Sequence, residues 1–330
     1  MNSVPLRQTL PSVTIGLPVF NGETYIASAI ESVLSQSFGN FELVICDNAS
    51  TDGTPDICRA FASRDARLRY LRNDHNLGAA PNYNRTFELA RGTFFKWLAH
   101  DDVLLPSYLE RTLEGLLETP DAVICSSKVE YMNSEGRTIG TYDSALDTGA
   151  GLRPSTRFSQ VVLSSHSCVD FFGLMRTSAM TDSLLHGSYH GADRAFLAQM
   201  ALRGRIVHIP ECLIRIREHH DRYTRTQLRP KDRLAWHDSG VTSRFYLPTW
   251  QLYRTYLTVL RSADLSPQER WRCRGVLARW WLRNWNGVRL AVDAAALVSP
   301  NVVGSAERIK RRWFGAAPGH FREDSPENDS

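Results

Sequence analysis

Apolar and polar positions along this chain switch between two periods. Val13 to Val19, VTIGLPV, is a short, partly β-branched apolar run that stops at Asn21-Gly22, which predicts a buried strand and a turn. Ile26, Ala29, Ile30, Val33 and Leu34 then recur at i, i+3, i+4, i+7 and i+8, the apolar stripe of a helix. FELVICD repeats the strand signature and ends on Asp47. Thr54-Pro55-Asp56 combines an N-cap residue, proline at the first helical position and an acid in the first turn, predicting a helix through DICRAFASR. LRYLR reads as a third strand, NYNRTFELARG as a helix stopped by Gly92, and Thr93 to Leu98 as a fourth strand. SYLERTLEGLLE and AVICSS continue the alternation.

Strands alternating with amphipathic helices at this spacing predict a mostly parallel sheet covered on both faces. Ligands of such sheets sit outside the carboxyl ends of the strands, so Asn21, Asp47, Asp101 and Asp102, each just after a predicted strand, gather on one rim. Val129 to Thr156 reads as hairpin and loop, DFFGLMR as a strand, GADRAFLAQMALRGR as a helix closed by Gly204, and IVHIPECLIRIR as one or two strands ending near His219. Beyond about Tyr223 the character changes. Ser266-Pro267-Gln268-Glu269 has the form of a capping box opening a long helix with Trp271, Trp280, Trp281 and Trp285 among six arginines, and the last stretch, GAAPGHFREDSPENDS, is polar enough to predict disorder.

Composition narrows the class. With 330 residues, 42% hydrophobic and 22% charged, the chain can bury a full core. A formal charge of +4, with arginine crowded from Arg203 onward, favours an anionic ligand or surface over a nucleic-acid code. The six cysteines are scattered with no C-x-x-C pair and no secretory leader precedes them, which predicts reduced thiols in a cytoplasmic protein. No run of about 18 apolar residues predicts a membrane span, so any membrane contact would be peripheral. Phosphate-loop, dinucleotide G-x-G-x-x-G and G-x-S-x-G signatures are all missing.

The candidate chemistry lies in the rim carboxylates. Asp101 and Asp102, ending FKWLAHDD, suit either a hard divalent cation that also takes substrate phosphates or the cap of a short turn before Pro106. Asp47 in DNASTDGT can accept the imide N–H of a pyrimidine or form an Asx turn. Asp193 opens a helix, where the dipole favours its ionised form, as a general base or as a plain N-terminal acid. His219 and His220 lie among Arg215, Arg217, Arg222 and Arg225, a diphosphate or metal cluster or a solvated basic loop.

The ordered series GLPVFNGETYIASAIESVLSQSF, ELVICDNASTDGT, RNDHNLGAAPNYNRTFELARG and FKWLAHDDVLLP, continued by FFGLMR, GADRAFLAQMALRGR and RIREHH, closely resembles family 2 glycosyltransferases over roughly residues 12 to 225. The resemblance implies a GT-A (Rossmann-like) α/β fold: a mixed, mostly parallel sheet flanked by helices. It divides the chain into a catalytic domain at 12–225, a helical C-terminal extension at 226–314 and a tail at 315–330. Pro18, Val19, Asn21 and Asp47 would form the base and ribose pocket, and Asn76, Gly78 and Arg85 would line the donor. Asp101 with Asp102 matches the end of the D-x-D motif that holds Mg²⁺ or Mn²⁺ and the donor diphosphate. His100, in the variable middle position, would be structural or ribose-facing. Asp193 matches the base of inverting members, and His219 the late histidine of the metal or diphosphate site. Two positions depart from the family pattern: Ala99 replaces the first acid of the D-x-D run, and Ala192 replaces the glutamate before the base.

The implied activity is single, inverting hexosyl or deoxyhexosyl transfer from a UDP- or dTDP-sugar to a hydroxyl acceptor, in cell-surface glycan, glycolipid or glycosylated-metabolite synthesis. Q-x-x-R-W, the mark of processive synthases, is missing. The Trp- and Arg-rich helices suit packing on the catalytic domain first, and also a lipid-linked acceptor at an anionic membrane face or a homodimer contact. Ala99 and Ala192 leave a silent nucleotide-sugar-binding domain or assembly partner as the alternative. A nucleotidyltransferase would need a glycine-rich activating loop that GLPVFNGE does not provide.

Overall fold

The computed structural model describes residues 10–149, 151–219 and 247–296. Nine strands form one sheet: β1 (Val13–Val19), β2 (Phe41–Asp47), β3 (Leu68–Arg72), β4 (Phe94–Trp97), β5 (Val103–Leu104), β6 (Ala122–Met132), β7 (Thr138–Tyr142), β8 (Leu174–Arg176) and β9 (Arg205–Arg217). Their order is β3-β2-β1-β4-β8-β6-β9-β5, with β7 paired to β6. The first four strands are mutually parallel, and β8 lies antiparallel between β4 and β6. β9 then runs parallel to β6, and β5 closes the edge antiparallel to β9. The alternating pattern predicts the mostly parallel order, and the mixed sheet is the one the resemblance implies. Every residue of β1 and β2 is buried, which explains why they read as continuous apolar runs rather than alternating ones.

One face of the sheet is covered by α1 (Ile26–Leu34), α2 (Thr54–Ala62) and α4 (Tyr108–Glu118), whose Ile30, Val33, Cys58 and Leu109 join the strand side chains in one core. The other carries α3 (Ala79–Glu88), α5 (Pro154–Leu163) and α7 (Ala192–Arg203), with the short α6 (Thr177–Met180) ahead of α7. The helices α8 (Pro248–Ser262), α9 (Pro267–Leu282) and α10 (Asn286–Ala296) share this second core: Tyr256, Val259, Cys273, Val276, Trp280 and Leu290 are buried with Phe158 of α5 and Phe196 of α7. Residues 220–246 and 297–330, with His220, Arg222, Arg225 and the expected tail, lie outside the described residues.

Several boundaries differ from the sequence reading. Gly53, not Thr54, is the N-cap of α2; Thr54 Oγ1 instead accepts the Gly22 N–H at 2.8 Å and ties two rim loops together. Helix α3 starts at Ala79, three residues early, because Pro81 fits the first turn. In DFFGLMR only Leu174–Arg176 is strand, and Val169–Phe172 is a 3₁₀ turn. IVHIPECLIRIR is one strand, and Pro210 survives inside it through a register shift: Ser127 of β6 faces Ile209 while the next residue, Lys128, faces Cys212. The long C-terminal helix ends at Leu282, and Trp285 sits in a separate 3₁₀ turn. Half the capping box forms: Ser266 Oγ accepts the Glu269 N–H, but Glu269 reaches across to the Ser155 N–H at 2.9 Å.

Gly16, in the middle of β1, lets α3 press onto the sheet. A Cβ there would stand 2.3 Å from Thr86 Oγ1 and 2.7 Å from Phe95 Cζ, in a core with no slack. Gly16→Ala is expected to lower the unfolding free energy by about 1–3 kcal/mol, read as a lower urea midpoint at unchanged slope. An unchanged midpoint would contradict this packing.

Candidate active site

Where β1 and β2 end, their loops are laced together. Pro18 and Val19 are buried at the end of β1, paired with Cys46 and Asp47. Val19 O accepts the Asn48 N–H at 2.8 Å. Asn21 adopts φ 50°, accepts the Thr51 N–H through its side chain at 2.8 Å and donates its own N–H to Ser50 Oγ at 2.9 Å. Asp47 is fully buried. Its Oδ1 accepts the Ser50 N–H at 2.8 Å, an Asx-type turn, and its Oδ2 accepts the Tyr70 hydroxyl at 2.6 Å with Arg72 Nε at 3.7 Å. Burial and this hydrogen bond push the Tyr70 phenol well above its ordinary value. Both carboxylate oxygens are therefore engaged and held rigidly, each with a second lone pair.

The segment after β3 is held by asparagines, of which the sequence reading singled out Asn76 but not Asn48, Asn73 or Asn82. Asn48 donates to Asn76 Oδ1 at 2.8 Å and to the Gly78 carbonyl, and its Oδ1 accepts from Asn73 and from the Leu77 N–H. Asn82 reaches the Cys46 carbonyl at 2.8 Å. Gly78 sits at φ 88°, which favours glycine. Among the described residues Asn73 Oδ1 is buried with no partner. The side chain of Arg85, half-buried on α3, makes no hydrogen bond or ion pair among the described residues. It lies near enough to Cys46 to oppose the burial that pushes that thiol up to about 12. The only hint of this network in the sequence was the density of Asn in RNDHNLGAAPNYN.

At the end of β4 the two acids go separate ways. Asp102 Oδ1 accepts the backbone N–H of Arg217 at 3.0 Å, and Asp101 Oδ2 lies 3.0 Å from His219 Nε2. The His219 ring stands 5.1 Å from Tyr25, and the Arg217 guanidinium lies over the same Tyr25 ring at 4.5 Å. Arg217 also donates to the carbonyls of Asp101, Asn133 and Ser134, and Arg215 pairs with Glu130 at 2.6 Å, so both arginines hold chain rather than a ligand. His100 packs over Gly22, whose added Cβ would meet its ring at 2.6 Å. Among the described residues no group of three or more His, Cys, Asp or Glu is arranged to hold a metal. Asp101 and His219 bring one carboxylate oxygen and one imidazole nitrogen together, a donor pair that a bound diphosphate can complete.

Asp193 lies in the first turn of α7, with Oδ1 accepting the Arg194 N–H at 2.7 Å. The Cys168 thiol donates to its carboxylate, and burial, reinforced by that charge, raises the thiol well above its ordinary value. His186, on the loop before α7, is held below the usual histidine range by burial, which outweighs the attraction of Asp193. Asn84 clamps His186 through both backbone groups, at 2.9 and 3.0 Å, and the His186 ring packs 5.2 Å from Tyr83. Tyr83 O in turn accepts the indole N–H of Trp97, the last residue of β4. Asp193 thus acts electrostatically on His186, which packs through Tyr83 against the strand that delivers Asp101. The sequence reading missed Cys168 and His186, which only the fold brings to Asp193.

The model of Glycosyl transferase family 2 matches residues 14–183. The putative glycosyltransferase EpsH of Bacillus subtilis is 33% identical over 129 residues, 39% of this chain and 37% of that protein. The putative teichuronic acid biosynthesis glycosyltransferase TuaG of the same organism is 36% identical over 108 residues, 33% of this chain and 43% of that protein. The chain thus spans about two-fifths of the length of such relatives. Among solved structures, S. aureus TarS 1-349 in complex with UDP-GlcNAc superimposes with a TM-score of 0.59 at 16% identity, over 82% of this chain and 72% of that one. A mannosyltransferase from Pyrobaculum calidifontis in complex with GDP-Man and Mn²⁺ gives 0.51 at 16% identity, over 92% and 81%. At such identities these two likenesses concern the fold.

Beneath Asp101 and Asp102, Lys96 is fully buried in β4. Its ammonium donates to the Phe172 carbonyl and lies 4.3 Å above the Tyr108 ring. Burial lowers its pKa to about 7, with the Asp102 charge pulling the other way. Unfolded, the same amine keeps its proton up to about 10.5. Between these values the unfolded chain binds more protons, so Lys96 makes stability rise with pH from about 7 to 10.5, by at most about 1.4 kcal/mol per unit. Lys96→Met is expected to flatten that rise in urea unfolding measured across the window. Parallel pH profiles for the two proteins would contradict it.

Proposed function

The chain belongs to glycosyl transferase family 2, and from that premise we propose that it moves a sugar from a UDP- or dTDP-sugar to a hydroxyl acceptor with inversion at the anomeric carbon. The observation that carries this reading is the contact of Asp101 with His219 on the rim where Asp47 and the Asn48–Asn76–Gly78 network also end. Asp47, rigid and with lone pairs to spare, would accept the imide N–H of the base, with Pro18, Val19 and Asn21 shaping the ribose side. Asn76 and Gly78 would border the donor, and Arg85 would meet its phosphates as a planar fork. A Mg²⁺ or Mn²⁺ ion held by Asp101 and His219, with Asp102 fixing the loop, would neutralise the diphosphate and improve the leaving group.

On the other side of the reacting carbon, Asp193 would take the proton of the acceptor hydroxyl. It stands in the first turn of α7, and neutral His186 beside it does not compete as a fixed cation. Displacement in line, with the base opposite the diphosphate, inverts the carbon. A hydroxyl acceptor in cell-surface glycan, glycolipid or glycosylated-metabolite synthesis, lipid-linked or free, suits this reading.

A second reading, a nucleotide-sugar-binding domain without turnover, is favoured by Ala99, Ala192 and the two-ligand donor set. One experiment separates them. Asp193→Asn is expected to lower transfer by about a thousandfold or more while UDP affinity stays within about twofold. A fully active variant removes Asp193 from the base role, and a wild-type protein that binds UDP but neither transfers nor hydrolyses any nucleotide-sugar supports the silent domain.

A further inference from the structure

Helix α9 has two apolar faces. Cys273, Val276, Leu277 and Trp280 point into the core shared with α5 and α7. Trp271, Gly275, Ala278 and Leu282, spaced i, i+4, i+7 and i+11, form a second stripe on the side open to solvent. Trp271 is 73% exposed and Leu282 88%, and Trp285 and Val288 just beyond are 63% and 52%. These are four of the eight most exposed large apolar side chains among the described residues. Exposed Arg274 and Arg279 flank the stripe on its two sides. From Ser266 to Ala296 the sequence holds six arginines against two acids, Glu269 and Asp293; Glu269 is spent on Ser155 and Arg272, Arg270 and Arg283 hold backbone carbonyls, and Arg279 touches Ser159 Oγ at 3.5 Å.

We propose that this face of α9 and the start of α10 docks on an anionic lipid bilayer, lying in the interface with Trp271, Leu282 and Val288 dipped into the acyl boundary and the exposed Arg274 and Arg279 on the headgroups. The charge pattern selects this partner. A lipid surface offers an apolar layer beneath a negative one, matching a Trp/Leu stripe bordered by arginines. A second copy docking face to face would instead set Arg274 and Arg279 against their own counterparts. From Trp271 to Leu282 the stripe runs about 16 Å, and no described helix is long and apolar enough to cross a membrane, so the contact is in-plane. Because the opposite side of α9 is locked into the core, docking would hold the rest of the molecule in a fixed attitude to the membrane. This surface is independent of whether Asp193 is a base.

The test is co-sedimentation of the full chain with phosphatidylcholine vesicles, with and without phosphatidylglycerol. Binding is expected only with the anionic lipid, falling with added salt. The pair Trp271→Ser and Leu282→Ser should weaken it by about tenfold or more, and so should Arg274→Glu with Arg279→Glu, with circular dichroism unchanged because all four side chains face solvent. No binding, binding indifferent to phosphatidylglycerol, or binding unaffected by either pair overturns the proposal. Loss of a dimer in the Trp271→Ser and Leu282→Ser protein, seen by sedimentation velocity without any vesicle binding, assigns the face to self-association and overturns it as well.

Discussion

The rim of this sheet depends on how two adjacent carboxylates are kept apart in role. Asp101 and Asp102 are both nearly buried, and like charges so placed are costly unless each finds its own compensation. The fold provides it by returning β9 to the end of β4 after more than a hundred residues: the Arg217 backbone N–H takes Asp102, and His219 takes Asp101. Arg217 then fastens the turn by binding the Asp101 carbonyl and stacking on Tyr25. Asp102 therefore works as a staple, while Asp101, held by His219, is the acid that the proposed function assigns to a ligand. Ala99 costs the site a carboxylate without loosening this geometry, because its carbonyl still accepts the Asp102 N–H in the turn.

Most of the sheet could be read from the chain because its central strands are buried on both faces and helices such as α1 and α4 carry one apolar stripe each. The errors fall where local signals compete with tertiary contacts. Thr54 has the chemistry of an N-cap, yet its hydroxyl is worth more to the Gly22 N–H, and Gly53 takes the cap. Glu269 completes a capping box in sequence but serves Ser155 on another helix. IVHIPECLIRIR reads as one or two strands, and it is one because a register shift against β6 accommodates Pro210.

The candidate site shows the same division. Asn21, Asp47, Asp101 and Asp102 could be placed on one rim because strand ends converge in a parallel sheet. Their partners could not. Tyr25, Tyr70, Asn48, Asn73, Cys168 and His186 belong to the site only through folding, and nothing in their spacing announces it. The C-terminal helices were ambiguous because packing and surface docking both call for Trp and Arg, and α9 does have an apolar stripe for each, on opposite faces.

The account rests on Asp101 and His219 acting as one donor pair for a cation and a diphosphate. Calorimetric titration of UDP, with Mn²⁺ and with chelator, into the natural protein and Asp101→Ala tests it most directly. Mn²⁺ is expected to tighten UDP binding at least about tenfold in the natural protein and to do nothing in the variant. Equal UDP affinity with and without the metal in the natural protein would contradict the account.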